Sequence, residues 1–105
     1  MEDAQLEWDD EKAERNWHDH AVTFEMARSV FRDPFAIEWE DLEQSADEER
    51  YAVIGMVEER LLFVGYTTRG DRIRIITARS AEPYERRKAR AAPSRWFPTS
   101  LSKVW

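Results

Sequence analysis

Three strand-like runs follow one another between Arg50 and Arg79, with turns at Glu58-Glu59 and Arg69-Gly70-Asp71. The first, Arg50 to Val57, carries Tyr51, Val53 and Ile54. The second, Leu61 to Thr68, is the most apolar run and the best central strand. In the third, Arg72 to Arg79, Ile73 and Ile75 alternate with Arg72 and Arg74. A parallel crossover needs a dozen or more residues, so connections this short force antiparallel pairing. Gly70 supplies the positive φ that a tight hairpin asks for. Phe35, Ile37 and Trp39 alternate with polar or small residues and predict a further, half-buried strand.

Helical signals flank this unit. Asp9 or Asp10 caps a helix over Glu11–His18, with acids in its first turn. Ala13 and Trp17 share a face of it. A second helix starts at Thr23, with Phe24, Ala27, Val30 and Phe31 as its apolar stripe. Asp33-Pro34 ends it. A third runs from Glu82 to Ala91, with Ser80 as its cap and Pro83 in its first turn. Leu6 to Trp8 fit a very short strand, although three residues decide little. The acidic stretch Asp41 to Glu49 has no period and reads as a loop.

The expectation is an α+β domain: an antiparallel sheet of three to four strands, two N-terminal helices, a C-terminal helix, and helices on one face only. The other face is then open to a ligand. Residues 1–92 form this domain. Residues 93–105 form a tail that carries Trp96, Phe97, Leu101 and Trp105.

Composition narrows the function. With 42% hydrophobic and 36% charged residues, the chain is neither membrane-like nor plainly disordered. It has no apolar run of spanning length and no signal-peptide pattern at its start, so the expected location is the cytoplasm, with no membrane partner. Without cysteine, disulfides, thiolate nucleophiles and thiolate metal sites are excluded. His18 and His20 are two apart, a poor spacing for zinc on a helix. No metal and no cofactor is expected. Three scattered glycines make no phosphate loop, and there is no Gly-x-Ser-x-Gly elbow.

The charge is uneven. Residues 1–50 hold 17 acids and 5 bases, while residues 51–105 hold 5 acids and 11 bases. Arg69, Arg72, Arg74 and Arg79 lie on or beside one hairpin, and Arg86, Arg87, Lys88 and Arg90 follow. Arg72 and Arg74 point to one side of their strand. Guanidinium forks match phosphate oxygens, so this is a candidate phosphate-binding face. The plainer reading is a polar face paired with acids from the first half. Trp8, Trp17 and Phe31 read as core.

Several ordered blocks then point the same way. Trp8-Asp9, Lys12 and Asn16 fit W-D-x-x-K-x-x-x-N. His20, Phe24, Ala27, Phe31 and Asp33-Pro34 fit K-H-G-V-x-F-x-x-A-x-x-V-F-x-D-P. Glu49-Arg50, Ile54-Gly55, the strand Arg72-Ile73-Arg74-Ile75-Ile76-Thr77-Ala78-Arg79 and Glu85-Arg86 follow in order. Over residues 6–91 the chain resembles BrnT-type toxins. It departs from them at Asp19-His20-Ala21, where Lys-His-Gly is usual, at Thr77 in place of serine, and in the tail.

The resemblance implies a RelE-like fold, metal-independent RNA cleavage that inhibits translation and growth in a bacterial cell, and a ribbon-helix-helix antitoxin encoded by the neighbouring gene. Operator DNA would be bound only through that antitoxin. Cleavage by attack of a ribose 2′-hydroxyl needs a proton acceptor, a proton donor and cations around the phosphorane. Arg79, Arg72 and Arg50 are the candidates for charge stabilisation, and His20 or Glu49 for the base. Lys12, Arg69 and Arg74 are the candidates for RNA contact. The rival expectation is a non-catalytic module that binds the antitoxin.

Overall fold

The computed structural model describes residues 6–41 and 48–90. The middle of the acidic loop and the tail from residue 93 lie outside the described residues. The elements run β1 (Leu6–Glu7), α1 (Asp10–His20), α2 (Phe24–Val30), β2 (Ile37–Glu40), β3 (Tyr51–Val57), β4 (Arg60–Arg69), β5 (Arg72–Ser80) and α3 (Pro83–Arg90).

Local chemistry sets most of the boundaries. Asp9 caps α1 by accepting from the Glu11 N–H at 2.8 Å, and Thr23 caps α2 by accepting from the Met26 N–H at 3.0 Å. Helix α1 ends on Ala21, left-handed at φ 54°. That position favours glycine, so the glycine of the Lys-His-Gly pattern has a backbone reason here. Asp33 accepts from the Phe35 N–H at 2.9 Å and, from across the fold, the Met56 N–H at 2.8 Å. It therefore both turns the chain and ties it to β3.

The two hairpins form as read. Val57 pairs with Arg60, and Arg69 with Arg72, so each loop has two residues. Gly70 takes φ 59° at the first central position, where type II′ turns place glycine. Glu58 and Glu59 take φ 49° and 68° without glycine's freedom, a strained pair.

The sheet itself corrects the expectation. Among the described residues it has five strands in the order β1-β5-β4-β3-β2, not three or four, and it is mixed. Strand β1 pairs parallel to β5, Leu6 with Ile73 and Glu7 with Arg74. Hairpin logic holds only for strands joined by hairpins, whereas β1 reaches β5 through the whole fold, so its direction is unconstrained. Two residues also show no period.

Helices cover both faces, a second correction. Helices α1 and α2 close a core of Phe24, Ala27, Val30, Val53, Leu62, Val64, Ile75 and Ala78. On the other side Ala52, Ile54 and Phe63 pack with Ala81 and with Ala89 of α3. The residues Ala52-Val53-Ile54 are consecutively apolar, the pattern of a strand buried on both sides. Helix α3 begins at Pro83 and Ser80 ends β5, so Ser80 is not the cap; its Oγ accepts from Arg60 at 2.9 Å.

Trp17 is 52% exposed and is not core. The inward side of α1 runs through Ala13 and Asn16, three apart, which leaves Trp17 on its shoulder. Trp8 meets Phe24 edge-on at 6.0 Å, and Phe31 meets Tyr66 edge-on at 5.2 Å, so these two do pack on the core.

Asn16 is a structural hub rather than a surface group. Its amide nitrogen donates to the carbonyls of Val22 (2.8 Å) and Ala78 (2.7 Å). Its oxygen accepts from the Ala78 N–H (3.1 Å) and the Thr77 hydroxyl (3.2 Å). The side chain thus pairs the edge of β5 beyond the end of β1, as another strand would.

Candidate functional site: a charged, aromatic cleft

The α3 side of the sheet is only partly covered. Beside α3 lies a cleft of about 600 Å³. Trp39 comes from β2, Arg50 and Tyr51 from the entry to β3, Phe63 and Gly65 from β4, Thr77 and Arg79 from β5, and Tyr84 and Lys88 from α3. Gly65 keeps the floor low, because a Cβ there would stand 2.9 Å from the Thr77 methyl.

A bulge aims the arginine strand. Gly65 pairs with Thr77 but Tyr66 with Ile75, so Ile76 is an extra residue in β5. Ile75 and Ala78, three apart, both enter the α1–α2 core. Thr77 and Arg79 therefore face the cleft side, which they share with Arg74. Without the bulge, Arg79 would point away from Arg74.

Arg79 is held on three sides. Its two terminal nitrogens donate to the two Glu85 oxygens at 2.7 and 2.8 Å, and its guanidinium lies 4.1 Å above the Phe63 ring. Glu82 is 3.8 Å away. The Glu85 side chain is fully buried, while that of Arg79 is 22% exposed. Burial pushes the Glu85 carboxyl up, but the Arg79 fork and the Glu82 N–H outweigh it and hold the group below its usual range. Glu85 raises Arg79 above its ordinary value and raises the Tyr84 hydroxyl as well.

Arg50 lines the cleft and is 3.8 Å from Glu48. Glu49 is exposed beside it, and its carboxylate accepts from the Tyr51 hydroxyl, whose pKa rises in consequence. Arg79 and Arg50 are thus brought together. Arg72 and Arg74 are not in the cleft lining: both engage Glu7 of β1, at 3.7 and 2.8 Å. Arg69 is exposed in the β4–β5 hairpin. Lys12 and His20 are exposed on α1, outside the cleft lining. Among the described residues no group of three or more acids and histidines forms a metal-ligand set.

Trp39 and Tyr84 were missed as site residues. Trp39 reads as an ordinary member of an alternating strand. The spacing of Tyr84 and Lys88, one helical turn apart, is the one signal that could have put them on a common face.

The cleft lining thus joins three cations, Arg50, Arg79 and Lys88, and two acids, Glu40 and Asp41, to aromatic groups on an α+β scaffold. The comparison with known families is specific: residues 8–85 match the model described as "Ribonuclease toxin, BrnT, of type II toxin-antitoxin system". The chain belongs to that family, a family of ribonuclease toxins whose systems pair a toxin with an antitoxin. No curated protein matches the chain.

Proposed function

We propose that this chain is a RelE-like, metal-independent endoribonuclease that cuts RNA in the cleft and thereby arrests bacterial growth. The observation that carries the reading is the meeting of Arg50, Arg79 and Lys88 with Tyr51 and Tyr84 around one open cleft. A ribose 2′-hydroxyl attacks the adjacent phosphorus in line and passes its proton to Glu49. Glu49 is favoured over His20 because it adjoins Arg50 at the cleft entrance. Arg79 and Arg50 stabilise the phosphorane charge. Tyr84, kept protonated by its raised pKa, gives its proton to the departing 5′-oxygen as the P–O bond breaks. Lys12, Arg69, Arg72 and Arg74 contact RNA beyond the scissile phosphate.

The antitoxin, a ribbon-helix-helix protein encoded next door, covers the cleft with an acidic or amphipathic segment. It alone brings the complex to operator DNA, since 17 acids against 5 bases in residues 1–50 oppose DNA binding by this chain. The expected place of action is the cytoplasm; among the described residues no helix is long and apolar enough to cross a membrane.

One observation favours a second reading. The Arg79 fork is already filled by Glu85, as it would be in a module that binds its antitoxin but does not cut. Incubation of the purified chain with RNA in excess chelator separates the two. Cleavage should persist, with 2′,3′-cyclic phosphate and 5′-hydroxyl ends. Activity restored only by magnesium or manganese would refute the mechanism, and no cleavage under any condition, with harmless expression, would favour the binding module.

A further inference from the structure

Two aromatic rings of the cleft each carry a cation, and the two cations differ in how firmly they are held. Arg79 sits over Phe63 at 4.1 Å but is clamped by the buried Glu85. Lys88 sits over Trp39, also at 4.1 Å, from an exposed position on a flexible stem. The rings are neighbours, their centroids 6.1 Å apart. We infer that Trp39 is a stacking platform for one unpaired RNA base, and that Lys88 is a displaceable cover that moves from the ring to a phosphate. The inference rests on the RNA-cleaving reading and goes beyond the family match, which ends before Lys88.

The magnitudes decide which occupant wins. An exposed cation–π contact contributes about twofold to fivefold to an equilibrium constant. A base stacked on an aromatic side chain contributes about fivefold to a hundredfold. The base therefore displaces the ammonium, and the ammonium regains a charge-assisted contact with phosphate. Phe63 cannot serve in the same way, because removing Arg79 from it would strand the Glu85 carboxylate. The outcome is one ring open to a base and one ammonium freed for its phosphate, a single nucleotide's worth of recognition. Bases within a duplex are already stacked, so the substrate enters as a single strand. Stacking tolerates any base, so this subsite selects strandedness more than sequence.

The test uses the full chain and a labelled 2′-O-methyl oligoribonucleotide, which lacks the attacking hydroxyl and is not cut. Trp39→Leu keeps apolar bulk beside Phe63 and removes the ring. It should weaken binding about fivefold to a hundredfold, while Trp39→Tyr stays near the parent. Lys88→Met should lower the salt dependence of log K by about 0.7, the share of one phosphate contact on a single strand. An abasic scan of the oligonucleotide against the unmodified protein needs no variant. One base removal should reproduce the loss, with no further loss in Trp39→Leu. If the protein binds RNA but neither Trp39→Leu nor any abasic site weakens it, the stacking platform is overturned and the RNA reading stands. If the unmodified protein does not bind RNA, the RNA reading falls and this inference with it.

Discussion

Arg79→Ala should lower RNA cleavage at least about a hundredfold, the usual consequence of removing one preorganised group that meets transition-state charge. It should also destabilise the fold by about 3–5 kcal/mol, because the fully buried Glu85 would lose its cationic partner. A loss of activity in this variant alone is therefore ambiguous. Arg79→Met combined with Glu85→Leu removes both charges and keeps the volume. It should recover most of the stability and none of the cleavage. Arg79→Lys keeps the charge but loses the two-pronged fit to Glu85, and should fall between. Acid separates the roles further. The folded pKa of Glu85 lies below its ordinary value of 4.5, so the pair stabilises the protein fully above about that pH. The contribution fades as pH falls through the folded value. The stability gap between parent and Arg79→Ala should consequently be wide at neutral pH and narrow in strong acid. Urea unfolding at the two pH values measures it, and an equal gap at both would refute the buried-pair account.

Asn16→Ala should be the most damaging substitution outside the cleft lining. Asn16 is 6% exposed and makes four hydrogen bonds, two of them to the N–H and the carbonyl of Ala78. Stranding a buried polar group costs about 1–3 kcal/mol, and here one backbone N–H and two carbonyls lose their partner. The sum is about 3 kcal/mol or more, a large part of the total stability of a small domain, and should lower Tm by about 10 °C or more. Asn16→Asp should be no better, since a carboxylate turned toward the Val22 and Ala78 carbonyls offers no donor. A melt of Asn16→Ala within a few degrees of the parent would show that water replaces the amide at the β5 edge.

The parts of the fold legible in the sequence are those governed by neighbours in the chain. Two-residue loops force β3, β4 and β5 antiparallel, and Asp9 and Thr23 announce their helices. What escaped depends on distant partners. Strand β1 exists because Leu6 and Glu7 meet Ile73 and Arg74, and two residues hold no pattern of their own. The α3 face follows from where the chain leaves Ser80, although Ala52-Val53-Ile54 already hinted that both sides of β3 are covered. In the site, the row of arginines on β5 was legible, but which acids they meet and which of them share the cleft was not. The extra residue Ile76 is apolar like its neighbours, so nothing in composition marks the bulge that turns Arg79 toward the cleft. Glu7 likewise looks like one more acid of the N-terminal half, yet it engages Arg72 and Arg74 together.

The cleavage rates of arginine variants test the placement of the site most directly. Arg50→Ala and Arg72→Ala each remove one guanidinium, the first from the cleft lining and the second from beside Glu7. Measured on one RNA at fixed salt, with stability checked in parallel, Arg50→Ala should lose about a hundredfold or more in rate. Arg72→Ala should lose less than about tenfold, the effect of one outlying phosphate contact. The reverse order, with Arg72 indispensable and Arg50 dispensable, would place the chemistry at the β1–β5 edge and contradict the cleft as the site of RNA cleavage.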